Sequence, residues 1–124
     1  MDVENRMDIL QAAWTNDAFR REVMTGTHEQ VVVMTLPPGE EIGEEVHPAT
    51  DQLLVFVDGR ADAILEGEAA EVGANDLVFV HAGTRHNFVN VGDGPLRLIT
   101  VYAPPQHPPG TVHWTKDEAD AAEA

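Results

Sequence analysis

Short apolar runs, each closed by glycine, proline, asparagine or aspartate, recur along residues 19–102 at roughly ten-residue spacing. Valine, isoleucine, leucine and phenylalanine dominate them. The pattern predicts strands at about 19–24, 29–36, 43–47, 52–57, 61–65, 68–72, 77–81, 85–91 and 96–102. No helical period competes within that span. Asp58-Gly59 and Glu66-Gly67 sit between apolar runs at hairpin spacing. Many short strands so spaced predict an all-β sandwich or closed barrel rather than alternating βα units.

The ends read differently. Residues 7–14 fit either a helical turn or a lead-in strand. Ala103-Pro104-Pro105-Gln106-His107-Pro108-Pro109-Gly110 cannot pair as a strand, because proline donates no ladder hydrogen bond, and reads as a surface segment. Thr115-Lys116-Asp117-Glu118 is a capping box that predicts a short surface helix over 116–123. The chain therefore divides into a lead-in segment (1–18), a β-barrel (19–103) and a proline-rich tail with a short acidic helix (104–124).

Alternation assigns faces. Gln52, Leu54 and Phe56 share one face, as do His86, Phe88 and Asn90. Leu53–Val57 and Leu77–Val80 are apolar on both faces, so the outer wall needs cover. A homodimer would supply it, or else the N-terminal Ile9, Leu10 and Trp14.

Composition narrows the chemistry. With 124 residues the chain holds one domain, and its 43 % hydrophobic content supports a core. No cysteine is present, which excludes disulfides, thiolate metal sites and a cysteine nucleophile. The net charge of −15, with 22 acidic residues against 7 basic ones, predicts no nucleic-acid or membrane partner. The acidic start, Met1-Asp2-Val3-Glu4-Asn5, lacks an apolar signal core and predicts a cytoplasmic protein. A small-molecule ligand or substrate is the expected partner. If anionic, it would need positive charge from a metal or from Arg60, Arg85 or Arg97.

The candidate chemistry lies in Glu45-Val46-His47-Pro48-Ala49-Thr50-Asp51-Gln52 and Gly83-Thr84-Arg85-His86-Asn87. Glu45 and His47, two apart, face the same way on a strand. A barrel that sets these two pieces side by side brings Glu45, His47, Gln52 and His86 to one point. Carboxylate, imidazole and amide oxygen suit a divalent first-row metal such as Zn, Mn, Fe or Ni. Without thiolate, such a site is open rather than structural. Asp51 reads as outward-facing, or as a residue that orients a ligand histidine. His81 and His28 read as loop residues, and His107 and His113 as part of the tail surface. Arg85 points away from His86. Trp14 and Trp114 read as packing anchors, and Gly59 and Gly83 as turn necessities.

These residues resemble the two motifs of the cupins, small β-barrel proteins. The first motif, G-x5-H-x-H-x(3,4)-E-x6-G, runs here from Gly39 to Gly59, with Glu45 at the first histidine, His47 at the second and Gln52 at the glutamate. The second, G-x5-P-x-G-x2-H-x3-N, runs from Asn75 through His81, Gly83 and His86 to Asn90. Pro-Pro-Gly-Glu-Glu-Ile-Gly-Glu-Glu-Val-His-Pro, with His-Pro-Pro-Gly-Thr-Val-His near the end, is similar to a mannose-6-phosphate isomerase-like subgroup. The resemblance implies a cupin jelly-roll barrel with a short C-terminal helix. It also implies a divalent metal on Glu45, His47, Gln52 and His86, and a homodimer. One Glu, one Gln and two His are the residue types that hold zinc in the large phosphomannose isomerases, themselves cupins. The implied chemistry is metal-assisted proton transfer on a sugar or other polyhydroxy or carbonyl compound. Glu45 is the general base if it is free of the metal. Three alternatives stand beside it: a cupin dioxygenase, whose histidine-rich ligand set is not intact here, a non-catalytic small-molecule-binding cupin, and a structural subunit.

Overall fold

The computed structural model describes residues 5–123. The element order is α1 (Ile9–Thr15), β1 (Arg20–Thr25), β2 (Gln30–Leu36), β3 (Asp51–Asp58), β4 (Arg60–Leu65), β5 (Glu68–Gly73), β6 (Leu77–Val80), β7 (His86–Asn90), β8 (Leu96–Ala103), β9 (Val112–His113) and α2 (Lys116–Glu123). The strands form two antiparallel sheets, a six-stranded one ordered β6-β3-β8-β2-β1-β9 and a three-stranded one ordered β5-β4-β7. One apolar cluster joins them: Met34, Leu54, Phe56 and Leu98 from the larger sheet meet Ala61, Ala63 and Phe88 from the smaller. This is the expected all-β barrel.

Period-two alternation positions the site. Gln52, Leu54 and Phe56 are all buried on β3, and His86, Phe88 and Asn90 on β7. Asn90 does structural work: its amide donates to Leu36 O and Gly94 O, both at 3.0 Å, and accepts from Gly92 N at 2.9 Å. All three partners are backbone groups that would otherwise need water.

Two turn expectations part company. Glu66-Gly67 closes a true β4–β5 hairpin, with positive φ at both positions (50° and 81°), as a mirror-image turn requires. Asp58-Gly59 does not. Strand β3 pairs with β6 and β8, while β4 pairs with β5 and β7, so the turn is a corner from one sheet to the other. Gly59 fits there because a Cβ would lie 2.7 Å from Pro95 O.

The expected strand at 43–47 is not a strand. Gly43, at φ 106°, breaks the extended path, and isolated bridges Glu41↔Val89 and Glu45↔His86 tie the segment to β7. Residues 9–15 resolve as helix, capped by Asp8, whose carboxylate accepts from Gln11 N at 3.1 Å. This helix answers part of the cover problem: Ala13, Ile9 and Ala12 pack on Val33, Ile99, Val55 and Val57, on the outer face of the larger sheet. The acidic start at residues 1–4 lies outside the described residues. Among the described residues, no helix is long and apolar enough to cross a membrane.

The tail corrects the surface reading. It folds back over the barrel, and β9 pairs with Arg20 and Arg21 of β1. The N-cap half of the capping box forms, with Glu118 N donating to Thr115 Oγ1 at 3.1 Å, while Glu118 Oε1 accepts from Trp114 N at 3.3 Å, one residue before the N-cap. Ala119 of α2 is buried in the main core.

Candidate functional site

Glu45 and His86 exchange both backbone hydrogen bonds, at 2.9 and 3.0 Å, which sets their side chains together. His47 follows two residues on, and its carbonyl accepts from Gly83 N at 2.8 Å. The two motif turns are thereby stitched to each other. His47 Nε2 lies 3.0 Å from Glu45 Oε2, and the His47 and His86 rings lie 5.4 Å apart. Gln52 comes from the larger sheet, as the cross-strand partner of Tyr102, whose ring meets the edge of His47 at 6.1 Å. Three predicted residues are thus in one place, and Gln52 joins them through Tyr102.

The hydrogen bonds say which atoms are free. His86 Nδ1 pairs with Thr84 O at 2.9 Å, which fixes the tautomer that leaves Nε2 as a lone pair. Gln52 Nε2 donates to Thr100 Oγ1 at 2.9 Å, while Gln52 Oε1 is buried with no hydrogen-bond partner. An unpartnered buried carbonyl is costly and points to a ligand. By donor chemistry, then, two imidazoles, an amide oxygen and a carboxylate fit a divalent cation. Among the described residues, no group of three or more His, Cys, Asp and Glu side chains forms a ready metal site. Burial pushes the Glu45 carboxyl up, but the hydrogen bond from His47 and the charges of His47, Arg20 and His86 outweigh it and hold the group below its usual range.

A cavity of about 540 Å³ opens on this cluster, lined among others by Glu45, His47, His107, His113 and Glu123. Gln52 and His86 do not line it and are nearly fully buried. Its far wall is the tail, so His107 and His113 are part of the site after all. Tyr102 stands between His47 and His107, the latter ring at 5.3 Å. Burial pushes the Tyr102 hydroxyl up to about 12 against the opposing pull of Arg20. Burial and then Arg20 push His107 down to about 4, and the same causes lower His113.

Arg20 was not foreseen. It is 2 % exposed, and its Nη1 lies 3.2 Å from His113 Nδ1. The arginines expected near a ligand lie elsewhere. Arg60 is exposed and paired with Glu71, Arg85 is exposed near Glu44, and Arg97 donates to the carbonyls of Ala13 and Asn16. A single arginine in a polar-apolar strand leaves no local signature. Arg20-Arg21 could have raised the question, since one of two adjacent strand residues must face inward.

The other predicted roles fall into place. Asp51 faces outward and caps Ala82 N at 2.9 Å. His81 and His28 are exposed. Trp14 and Trp114 are half exposed and serve as stacking surfaces rather than packing anchors, with the guanidiniums of Arg97 and Arg21 at 5.8 and 5.1 Å from their rings.

The comparisons agree with this architecture. A family model described as a cupin domain matches residues 32–102. The uncharacterized protein YrkC of Bacillus subtilis is 43 % identical over 124 residues, covering 94 % of this chain and 66 % of its own length. Polyketide synthase CurC of Streptomyces cyaneus is 33 % identical over 76 residues, covering 61 % of this chain and 49 % of CurC. The chain thus spans between half and two thirds of these relatives. The crystal structure of BH2720 from Bacillus halodurans superposes with a TM-score of 0.92 at 42 % identity, covering 94 % of this chain and 92 % of that one.

Proposed function

Because this chain belongs to the cupin domain family, we propose that its barrel holds a divalent transition ion through Glu45, His47, Gln52 and His86 and catalyses proton transfer on a small carbonyl or polyhydroxy compound. The observation that carries the reading is Gln52 Oε1, buried and unpartnered on the strand position that pairs with Tyr102, whose ring meets His47. A bound divalent ion would supply Lewis-acid polarisation of a substrate oxygen. The chain supplies the rest. His86 is held in its tautomer by Thr84, and Gln52 is oriented by Thr100. Glu45, ionised and facing the cavity, is the proton acceptor when it is not a ligand. His107, which lines the cavity, stays neutral near pH 7 and can donate a hydrogen bond to a substrate oxygen, with neutral Tyr102 packed against its ring. The similarity to a polyketide synthase protein supports a carbonyl-rich substrate, and the resemblance to the isomerase-like subgroup supports a sugar.

Elemental analysis of purified protein tests the proposal. The expected result is near-stoichiometric Zn, Mn, Fe or Ni, lost in His47→Ala and His86→Ala. No retention after reloading with each of the four ions overturns it. The 3.0 Å contact between His47 and Glu45 favours a second reading in that event, a metal-free cupin that binds a small molecule. A cytoplasmic homodimer belongs to the same proposal. Leu77 and Phe79 on the edge strand β6 remain 57 % and 43 % exposed, and Phe79→Glu should give monomers in sedimentation experiments.

A further inference from the structure

We propose that Arg20 anchors a carboxylate-binding subsite at the mouth of the barrel, which Glu123 of α2 occupies in the free protein and which a small carboxylate ligand takes over. This names the ligand class of the cavity proposed above as the binding site, and it rests on that assignment but not on the metal. Arg20 projects inward from β1, is 2 % exposed, and its Nε has no hydrogen-bond partner. A guanidinium carries five donors, and one removed from water needs them met by acceptors or by counter-charge. Here Nη1 faces His113 Nδ1 at 3.2 Å.

Among the described residues, the one carboxylate in ion-pair range is Glu123, at 4.0 Å, too far for a hydrogen bond. Its side chain is 53 % exposed, against 3 % for Arg20, so it can swing into water at little cost while the guanidinium cannot. Glu123 and His113 both line the cavity. The internal carboxylate therefore marks where a ligand carboxylate would sit, and a bidentate pair there would satisfy the arginine better than Glu123 does. Charge selects a monoanion. The net charge is −15, Glu45 stands on the same cavity, Arg6 lines a different surface pocket, and the remaining described cations are engaged elsewhere: Arg21 on Trp114, Arg60 with Glu71, Arg85 near Glu44, Arg97 on backbone carbonyls and Lys116 with Asp120. A dianionic phosphate would gain one cation and meet that surplus of negative charge.

Titration of ¹⁵N-labelled protein with pyruvate, and separately with inorganic phosphate, tests this through the arginine Nε–H signals, with Arg20 assigned from Arg20→Lys. Pyruvate should shift the Arg20 signal saturably, and Glu123→Gln, which removes the competing charge, should bind pyruvate about five-fold tighter or more. Phosphate should give no saturable shift. An Arg20 signal unmoved by pyruvate overturns the subsite, and equal or better binding of phosphate overturns the carboxylate assignment. Unchanged or weaker binding in Glu123→Gln overturns it too, and assigns Arg20 a purely structural charge. If Arg20→Lys does not fold, the Glu123→Gln affinity decides alone. Metal retention is read on the same samples. Metal without pyruvate binding removes this inference only, and pyruvate binding without metal removes only the metal.

Discussion

Gln30 grips the peptide of His107 from both sides. Its Nε2 donates to His107 O at 2.6 Å, and its Oε1 accepts from His107 N at 3.0 Å, across 77 residues of sequence. The same amide also donates to Thr25 Oγ1 and accepts from Gln106 N, and Gln30 is fully buried. One side chain on β2 thus holds the tail over the cavity.

Gln30→Leu should therefore cost about 2–4 kcal/mol of unfolding free energy, because it strands buried backbone groups rather than merely removing a contact. Urea denaturation measures the loss. Hydrogen exchange at Gln106 and His107 should accelerate ahead of the β3 and β8 amides. Uniform acceleration would mean that the tail is not separately tethered.

Gln52→Leu separates a ligand from a structural amide. Removing the unpartnered Oε1 also removes the Nε2 bond to Thr100, whose hydroxyl keeps its own bond to Leu53 O, so the stability of the metal-free protein should stay within about 1–2 kcal/mol. Metal affinity should fall about ten-fold or more. A large stability loss with unaltered metal affinity would make Gln52 a packing residue.

Two glycines at positive φ should respond unequally to alanine. At Gly67 nothing lies within 4 Å of a new Cβ, so only the left-handed backbone penalty applies, about 1–2 kcal/mol. At Gly59 the new Cβ would meet Pro95 O at 2.7 Å and Leu96 Cα at 3.1 Å, and the cost should reach about 3 kcal/mol or more. Equal thermal shifts would mean that the corner relaxes freely.

Acid should loosen the mouth of the barrel through His107. Its folded value of about 4 lies below its ordinary 6.5, so the unfolded chain takes up the proton first as pH falls. The stabilising contribution of the neutral ring is complete above pH 6.5 and disappears towards pH 4, at most about 2–3 kcal/mol. The charged or titratable groups facing it are Arg20, Glu45, His113 and His47, and His113 is lowered in the same direction. Between those limits His107→Gln should flatten the dependence of unfolding free energy on pH. An unaltered slope would refute the assignment.

The fold was legible where alternation and turn chemistry act locally. Period two placed Gln52 and His86 inward, and Glu66-Gly67 closed a hairpin as its residues demand. Asp58-Gly59 misled because a tight turn fixes chain direction but not sheet membership, which the long-range β3–β8 and β4–β7 pairings decide. Residues 43–47 read as a strand by composition, yet Gly43 and the wide path around it leave only single bridges. Arg20, Tyr102 and His107 stayed invisible as a group because they lie on β1, β8 and the tail, and nothing short of the folded barrel brings them together.

The site is also ordered in time. Glu45, His47, Gln52 and His86 all precede the segment that covers them, since Gln106, His107 and α2 come later in the chain. During synthesis, which runs from the N-terminal side, the donors emerge before their cover. Under the proposed metal assignment an ion would reach them through an open rim, and maturation would not wait for the finished molecule to reopen.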